Sequence, residues 1–249
     1  MKARNTAKTL KSAGFASLRP VGVPDPYVSV VVTAYNRRRY LPDALRSLER
    51  QTLDKEKFEV IVVKNFEDPV SDAIIRRNDW RDVVADIRAV GGMLAVGFEE
   101  SRGEVVTFLD DDDMYVPERL QVVERAFREV KDLAYFHNGQ AVIDEEGNAI
   151  PGAVAAAPLS VDVVVDDGAK RIPCSLDYLR VLAKADFNMS SIAVRRGLLG
   201  PRELEALGAL PYSQDSYLYA AAFAAEGAMY LTPLKLTLYR VHRSNVSAP

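Results

Sequence analysis

The 249-residue chain has few of the side chains that build covalent cross-links or metal cages. Its one cysteine, Cys174, excludes an internal disulfide and any cysteine-based metal site. Two histidines exclude a histidine-rich metal site. No apolar run approaches the roughly 18 residues that a membrane-spanning helix needs. These absences predict an intracellular protein in a reducing compartment, and we expect a cytoplasmic location.

The sequence also has no excess of basic residues. Lysine and arginine total 32 against 35 acidic residues, for a net charge of −3. A dedicated duplex-DNA binder is usually basic, so we expect no nucleic-acid partner. Residues 1–26 form a basic N-terminal arm, whose first 24 residues carry five basic side chains and no acid. We interpret this arm as a mobile tail; the alternative is a peripheral contact with anionic lipid at the inner face of the membrane.

Hydrophobic patterning in the first half of the chain predicts an α/β fold. Runs of β-branched and apolar residues at Val28–Ala34, Phe58–Val63 and Glu104–Leu109 are typical of strands buried on both faces of a parallel sheet. A short third strand is predicted at Asp86–Val90 and a fifth at Leu133–His137. Helices fall between these strands, which indicates right-handed crossovers and a Rossmann-like, mostly parallel central sheet.

After residue 144 the alternation changes, which indicates a smaller, mixed second half. A turn at 144–148 precedes an irregular insert at 152–172. Helices are predicted at 175–183 and 214–226, a strand at 189–195, and a closing pair of strands at 228–231 and 234–241. We interpret residues 27–249 as one continuous domain, with a nucleotide-binding half at 27–137 and a substrate half at 138–249.

Four consecutive acids, Asp110–Asp113, directly follow the fourth predicted strand. Ligands of open α/β sheets bind at the carboxyl ends of the strands. Neighbouring carboxylates repel one another, and a divalent cation shared with substrate phosphates removes that cost. The run therefore predicts a metal–diphosphate site. The alternative is a solvated loop whose last acids cap the helix that begins at Pro117.

Several ordered motifs make the chain resemble the family 2 glycosyltransferases, which have the GT-A fold. The resemblance covers about residues 28–247. It rests on the strand that ends Thr33-Ala34-Tyr35-Asn36, on Leu48, Gln51 and Thr52, on Gly103-Glu104 followed by Phe108-Leu109 and the four acids, on Gln214-Asp215, and on the closing segment Tyr239–Ser247. The resemblance implies a nucleoside diphosphate sugar as donor and Mg²⁺ or Mn²⁺ as cofactor. The acceptor would be a hydroxyl on a glycan, a lipid carrier or a small molecule.

The resemblance also implies roles for individual residues on the donor side. Thr33 and Tyr35 would contact the base; the alternative for both is packing at the strand end and capping of the turn at 36–41. Asn65 would stand where relatives carry an acid that binds the base. Asp111 would lie near the ribose and diphosphate, and Asp110 would support the acidic loop of this cofactor site. Asp112 would bind the metal, His242 would be a second metal ligand or a diphosphate contact, and Arg240 would contact phosphate oxygens.

On the acceptor side, Asp215 would be the base of a single inverting displacement. The alternative for Asp215 is a helix cap. Asn188 would line the acceptor groove or bond within a turn.

Two departures from the family pattern leave alternative functions open. The amide of Asn65 leaves uridine and guanosine both open as the donor base. Leu94-Ala95 replaces an Arg-Asn pair that would contact the diphosphate, and Lys64 would either compensate or lie in solvent. The alternatives are a catalytically silent binding module of the same fold and, more weakly supported, a nucleotidyltransferase.

Overall fold

The computed structural model describes residues 25–87, 89–155, 159–172, 174–175, 177, 184–243 and 245. Nearly all of the basic arm and most of the helix predicted at 175–183 lie outside these residues. The described chain forms a nine-stranded sheet with helices on both faces, which confirms the predicted α/β class. Within this part of the chain, no helix has the length and apolar composition to cross a membrane.

The first half of the chain forms a parallel sheet. Its strands are β1 (Val28–Ala34), β2 (Phe58–Lys64), β3 (Arg81–Val84) and β4 (Val105–Asp110), and its helices are α1 (Leu41–Glu49), α2 (Pro69–Arg77) and α3 (Val90–Glu100). These strands pair in the order β3-β2-β1-β4. The ends of β1 and β4 are therefore adjacent, and Thr33 is level with Asp110.

The third strand lies earlier in the chain than the sequence predicted. The predicted strand, Asp86–Val90, is wrong because Val90 begins α3. The observed strand, Arg81–Val84, is at the edge of the sheet, and its residues alternate between half-buried and exposed. Such an edge strand lacks the continuous apolar run that marked β1, β2 and β4.

The second half extends the same sheet. Its strands are β5 (Met114–Tyr115), β6 (Leu133–Ile143), β7 (Val163–Val165), β8 (Ile192–Arg195) and β9 (Ala228–Arg240), and its helices are α4 (Arg119–Glu129), α5 (Asp167–Lys170), α6 (Pro201–Ala209) and α7 (Gln214–Ala224). The order continues from β4 through β8, β6 and β9 to β5, and β7 also pairs with β9. Among the described strands of this half, β6 and β9 pair in parallel and the other pairings are antiparallel, so this half is mixed, as predicted.

The two closing strands predicted from the sequence form one strand, β9. The register between β6 and β9 shifts at Gly139, which lies level with Lys235, whereas Asn138 lies level with Thr232. Pro233 and Leu234 therefore bulge out of the ladder. A bulge accommodates a proline because the missing N–H is not needed there. β6 continues to Ile143, beyond the predicted end at His137.

Two apolar layers hold the helices to the sheet. Val30 and Val32 of β1 pack with α1, α2 and α4, whereas Val31 packs on the other face with α3, α6 and α7. The alternation follows from the two-residue period of a strand. As a result α3 and α7 lie on the same side of the sheet.

Helices α3 and α6 approach each other closely at Gly91. A β-carbon at this position would lie 2.6 Å from the carbonyl oxygen of Leu210 and closer still to that of Leu207. We predict that Gly91→Ala lowers the free energy of unfolding by about 2–3 kcal/mol in urea denaturation, because backbone must move to admit the methyl group. Gly208→Ala is the matched control, since its β-carbon would meet Ala95 Cβ at an ordinary 3.5 Å. Equal stability of the two variants would contradict this account.

Candidate active site

A cleft of about 1010 Å³ opens at the carboxyl ends of β1 and β4. Its walls come from the loop after β1, the acidic loop after β4, the start of α3, the segment before β8 and the start of α7. The lining side chains include Tyr35, Arg37, Asp110, Asp112, Asp113, Asp186, Asn188, Tyr212, Asp215 and Tyr239. Both halves of the chain contribute, and the volume is that of a small-molecule site.

Three of the four consecutive acids converge at this cleft. The carboxylates of Asp110, Asp112 and Asp113 each place an oxygen within 4.8 Å of the others. Burial, together with the neighbouring acids, raises the pKa of Asp110 well above its usual value and that of Asp113 to about 7. The donors to Asp113 include the backbone N–H of Arg240 at 3.0 Å and Nδ2 of Asn188 at 2.9 Å. The acids are packed loop residues, which contradicts the alternative of a solvated loop.

The oxygen atoms at this cluster fit a divalent cation. Oδ2 of Asp111 and Oδ1 of Asn188 are buried oxygens that have no hydrogen-bond partner among the described residues. Carboxylate and amide oxygens are the ligands that Mg²⁺ and Mn²⁺ prefer. Asp110, Asp112 and Asp113 could therefore hold such an ion, with Asn188 beside them.

Arg37 lies against this cluster, and the sequence analysis assigned it no role at the site. Its Nε donates to Oδ1 of Asp111 at 2.9 Å, and its Nη2 contacts the same oxygen. Nη2 also lies 2.8 Å from Oδ2 of Asp112, and Nη1 lies 3.3 Å from Nε2 of His242. Burial raises the pKa of Asp111 to about 7, although Arg37 opposes that shift. Arg37 follows β1 by three residues. Because β1 and β4 are adjacent parallel strands, the segments that follow them lie side by side, and this could have predicted Arg37 beside the acids.

His242 contacts Asp112, the residue with which it was predicted to share a metal ion. Its Nε2 lies 3.0 Å from Oδ2 of Asp112, and its ring packs on Tyr40 at 4.8 Å between centroids. The structure therefore brings both predicted metal ligands together, with Arg37 as a third member of the group.

The residues predicted to contact the base are placed differently from one another. Tyr35 is half-buried and lines the cleft. Thr33 is buried within β1. Asn65 exchanges hydrogen bonds with Asn36, donating from Nδ2 and accepting the Asn36 backbone N–H, both at 2.9 Å. Asn36 has a left-handed backbone with φ of 55°. Its two hydrogen bonds with Asn65 hold this conformation and so fix the turn that carries Arg37.

Arg240 does not face the cleft, contrary to its predicted contact with phosphate. The side chain is fully buried. Its Nε donates to the carbonyl of Asp112 at 2.8 Å and its Nη1 to that of Glu145 at 2.7 Å. Its Nη2 lies 3.3 Å from Oδ2 of Asp43. Arg240 therefore ties the acidic loop to the turn after β6.

Asp215 lies on the cleft wall formed by α7. Its Oδ2 accepts the backbone N–H of Asn188 at 3.3 Å and its Oδ1 that of Ser216 at 2.8 Å. Burial raises its pKa, so the carboxylate is a stronger base than a solvated aspartate. The N-cap of α7 is Ser213, and Asp215 is the second residue of the helix. Asn188 thus bridges Asp215 and Asp113, which supports the prediction that it lines the site.

Neither alternative for Lys64 is correct. Its side chain is fully buried and forms ion pairs with Asp82 at 2.6 Å and Asp72 at 3.0 Å. It neither reaches the cleft nor lies in solvent, because its aliphatic stem runs through the core at the end of β2.

Comparisons with known proteins agree on one family. Residues 29–151 match the model of glycosyl transferase family 2. A Bacillus subtilis protein that carries the name glycosyltransferase EpsH is 25% identical over 233 residues, which cover 89% of this chain and 62% of that protein. An undecaprenyl-phosphate 4-deoxy-4-formamido-L-arabinose transferase of Pseudomonas aeruginosa is 38% identical over 112 residues, which cover 41% of this chain and 33% of that protein.

The fold has counterparts among solved structures. The crystal structure of S. aureus TarS residues 1–349 in complex with UDP-GlcNAc matches with a TM-score of 0.65 and 19% identity, over 89% of this chain and 61% of that one. The chain spans less than two thirds of the length of these relatives.

Proposed function

Because the chain belongs to glycosyltransferase family 2 through residues 29–151, we propose that it transfers a sugar from a nucleoside diphosphate sugar to a hydroxyl acceptor. The transfer is a single displacement that inverts the anomeric carbon and is assisted by Mg²⁺ or Mn²⁺. One observation carries the proposal. A cluster of three carboxylates, Asp110, Asp112 and Asp113, shares one cleft with a separate, half-buried carboxylate, Asp215.

The two sets of carboxylates have different tasks in this reaction. Asp110, Asp112 and Asp113 would hold the divalent ion, which stabilises negative charge on the departing diphosphate. Asp215 would accept the proton of the attacking hydroxyl. The backbone N–H groups of Asn188 and Ser216 hold both oxygens of Asp215 in place, so the base is oriented before the acceptor arrives.

The donor and acceptor follow from the cleft and the relatives. Tyr35 would stack on the base at the β1 side of the cleft. The UDP-GlcNAc complex of TarS makes uridine the first base to test, and guanosine remains the alternative. The Pseudomonas relative transfers to a lipid phosphate by its name, which supports a lipid-linked acceptor beside a glycan. A lipid-linked acceptor would suit a cytoplasmic protein at the inner face of the membrane.

Thermal unfolding tests the donor site directly. We expect UDP or GDP, but not CMP, to raise the melting temperature in the presence of Mn²⁺ or Mg²⁺, because a ligand that binds only the folded state stabilises it by mass action. Asp112→Asn should weaken the metal-dependent part of the shift. No shift with any of UDP, GDP and dTDP would contradict the proposal and favour a silent binding module.

A further inference from the structure

Arg37 neutralises the acidic loop at the position where a divalent ion would be held. Its guanidinium reaches Asp111 and Asp112, and Nη2 lies 2.8 Å from Oδ2 of Asp112. The same oxygen is 3.0 Å from Nε2 of His242. One arginine thus provides positive charge to a group of acids that is otherwise buried and crowded.

The guanidinium and a metal ion compete for the same oxygen. A bound Mg²⁺ lies about 2.0–2.1 Å from each oxygen ligand. An ion on Oδ2 of Asp112 would meet two nitrogens that already contact this oxygen, Nη2 of Arg37 at 2.8 Å and Nε2 of His242 at 3.0 Å. Two cations cannot share this space, and their like charges repel at short range.

Arg37 is also the arginine that is able to reach a ligand in the cleft. Its side chain is 27% exposed and lines the cleft. The neighbouring Arg38 packs over the ring of Phe66 at 4.5 Å, and Arg39 pairs with Glu145 at 2.7 Å. A guanidinium binds phosphate oxygens in a bidentate manner, as it binds carboxylates.

We propose that Arg37 is a movable counter-cation that couples metal binding to donor binding. Without donor it holds Asp111 and Asp112 and weakens divalent-ion binding. The diphosphate of the donor draws the guanidinium away, and Asp112 becomes available to the ion. Donor and ion therefore bind cooperatively, and Arg37 supplies the diphosphate contact that Leu94 and Ala95 cannot make. The diphosphate step rests on the proposed function, whereas the competition with metal does not.

Mn²⁺ binding to the full chain, followed by the electron paramagnetic resonance signal of free Mn²⁺, tests this coupling. We expect Arg37→Gln to bind Mn²⁺ alone about tenfold more tightly than the wild type, because the competing charge is gone. UDP should raise the Mn²⁺ affinity of the wild type about tenfold and that of Arg37→Gln much less. Arg38→Gln is the matched control and should behave as the wild type, and Arg37→Lys, which keeps the charge, should retain weak Mn²⁺ binding.

The outcomes separate this inference from the proposed function. Equal Mn²⁺ affinity of the wild type and Arg37→Gln would overturn the inference, whatever UDP does. Tighter Mn²⁺ binding by Arg37→Gln with no effect of UDP, GDP or dTDP on either protein would support the competition and reject the nucleotide donor. Equal stimulation by UDP in both proteins would overturn the coupling while leaving the donor assignment intact.

Discussion

Asp215→Asn is expected to lower kcat about 10²–10⁴-fold while leaving nucleotide affinity nearly unchanged. The amide keeps the shape of the side chain, and its one oxygen still accepts the backbone N–H of either Asn188 or Ser216. It cannot accept the proton of the attacking hydroxyl. The measurement is release of nucleoside diphosphate from the donor sugar, compared with nucleotide binding by calorimetry.

Asp186 provides the comparison for this variant. It lines the same cleft, and its Oδ2 accepts a hydrogen bond from Ser216 Oγ at 2.8 Å. Asp186→Asn should lower kcat far less than Asp215→Asn if Asp215 is the base. The reverse order would assign the base to Asp186, and a small effect of both would reject proton removal by a carboxylate of this wall.

The sequence was sufficient to predict the strands that form the centre of the sheet. β1, β2 and β4 are continuous apolar runs because both of their faces are covered by helices. The position of the acids followed from the same reasoning, since they come directly after such a run. The edge strand β3 was misplaced because one of its faces is exposed and the other is only half-buried. β9 was divided because Pro233 resembles a strand interruption, whereas Pro233 and Leu234 form a bulge within one continuous strand.

The site was harder to predict wherever a side chain had a choice of partners. Arg37 and Arg240 both lie near the acids, and a sequence does not reveal which guanidinium faces the cleft. The pairing of β1 with β4 brings Arg37 to the mouth of the site. The pairing of β9 with β5 and β6 takes Arg240 behind the acidic loop instead. The hydrogen-bond partner of Asn65 was hard to predict for the same reason, because Asn36 lies across the β1–β2 pair and 29 residues away in sequence.

Arg240→Met should lower the free energy of unfolding by about 3–5 kcal/mol. The substitution leaves the buried carbonyl of Asp112 and the part-buried carbonyl of Glu145 without their guanidinium donor. It also removes a cation that stacks on the ring of Tyr40 at 4.8 Å. The measurement is urea denaturation, with Arg243→Met as the matched control because Arg243 is exposed.

A structural role and a phosphate-binding role for Arg240 predict opposite results for Arg240→Met. If Arg240 holds the acidic loop, Arg240→Met loses stability, and its UDP affinity without divalent ion stays within about threefold of the wild type at a temperature where it remains folded. If Arg240 instead binds phosphate, the variant should lose UDP affinity and retain its stability. The burial of the Arg240 guanidinium favours the first outcome. The group already donates to protein acceptors, and it must break those hydrogen bonds to reach a phosphate. Arg37 is part-exposed, and its recorded side-chain contacts with the described residues are with acids and a histidine, so it faces a much smaller barrier to such an exchange.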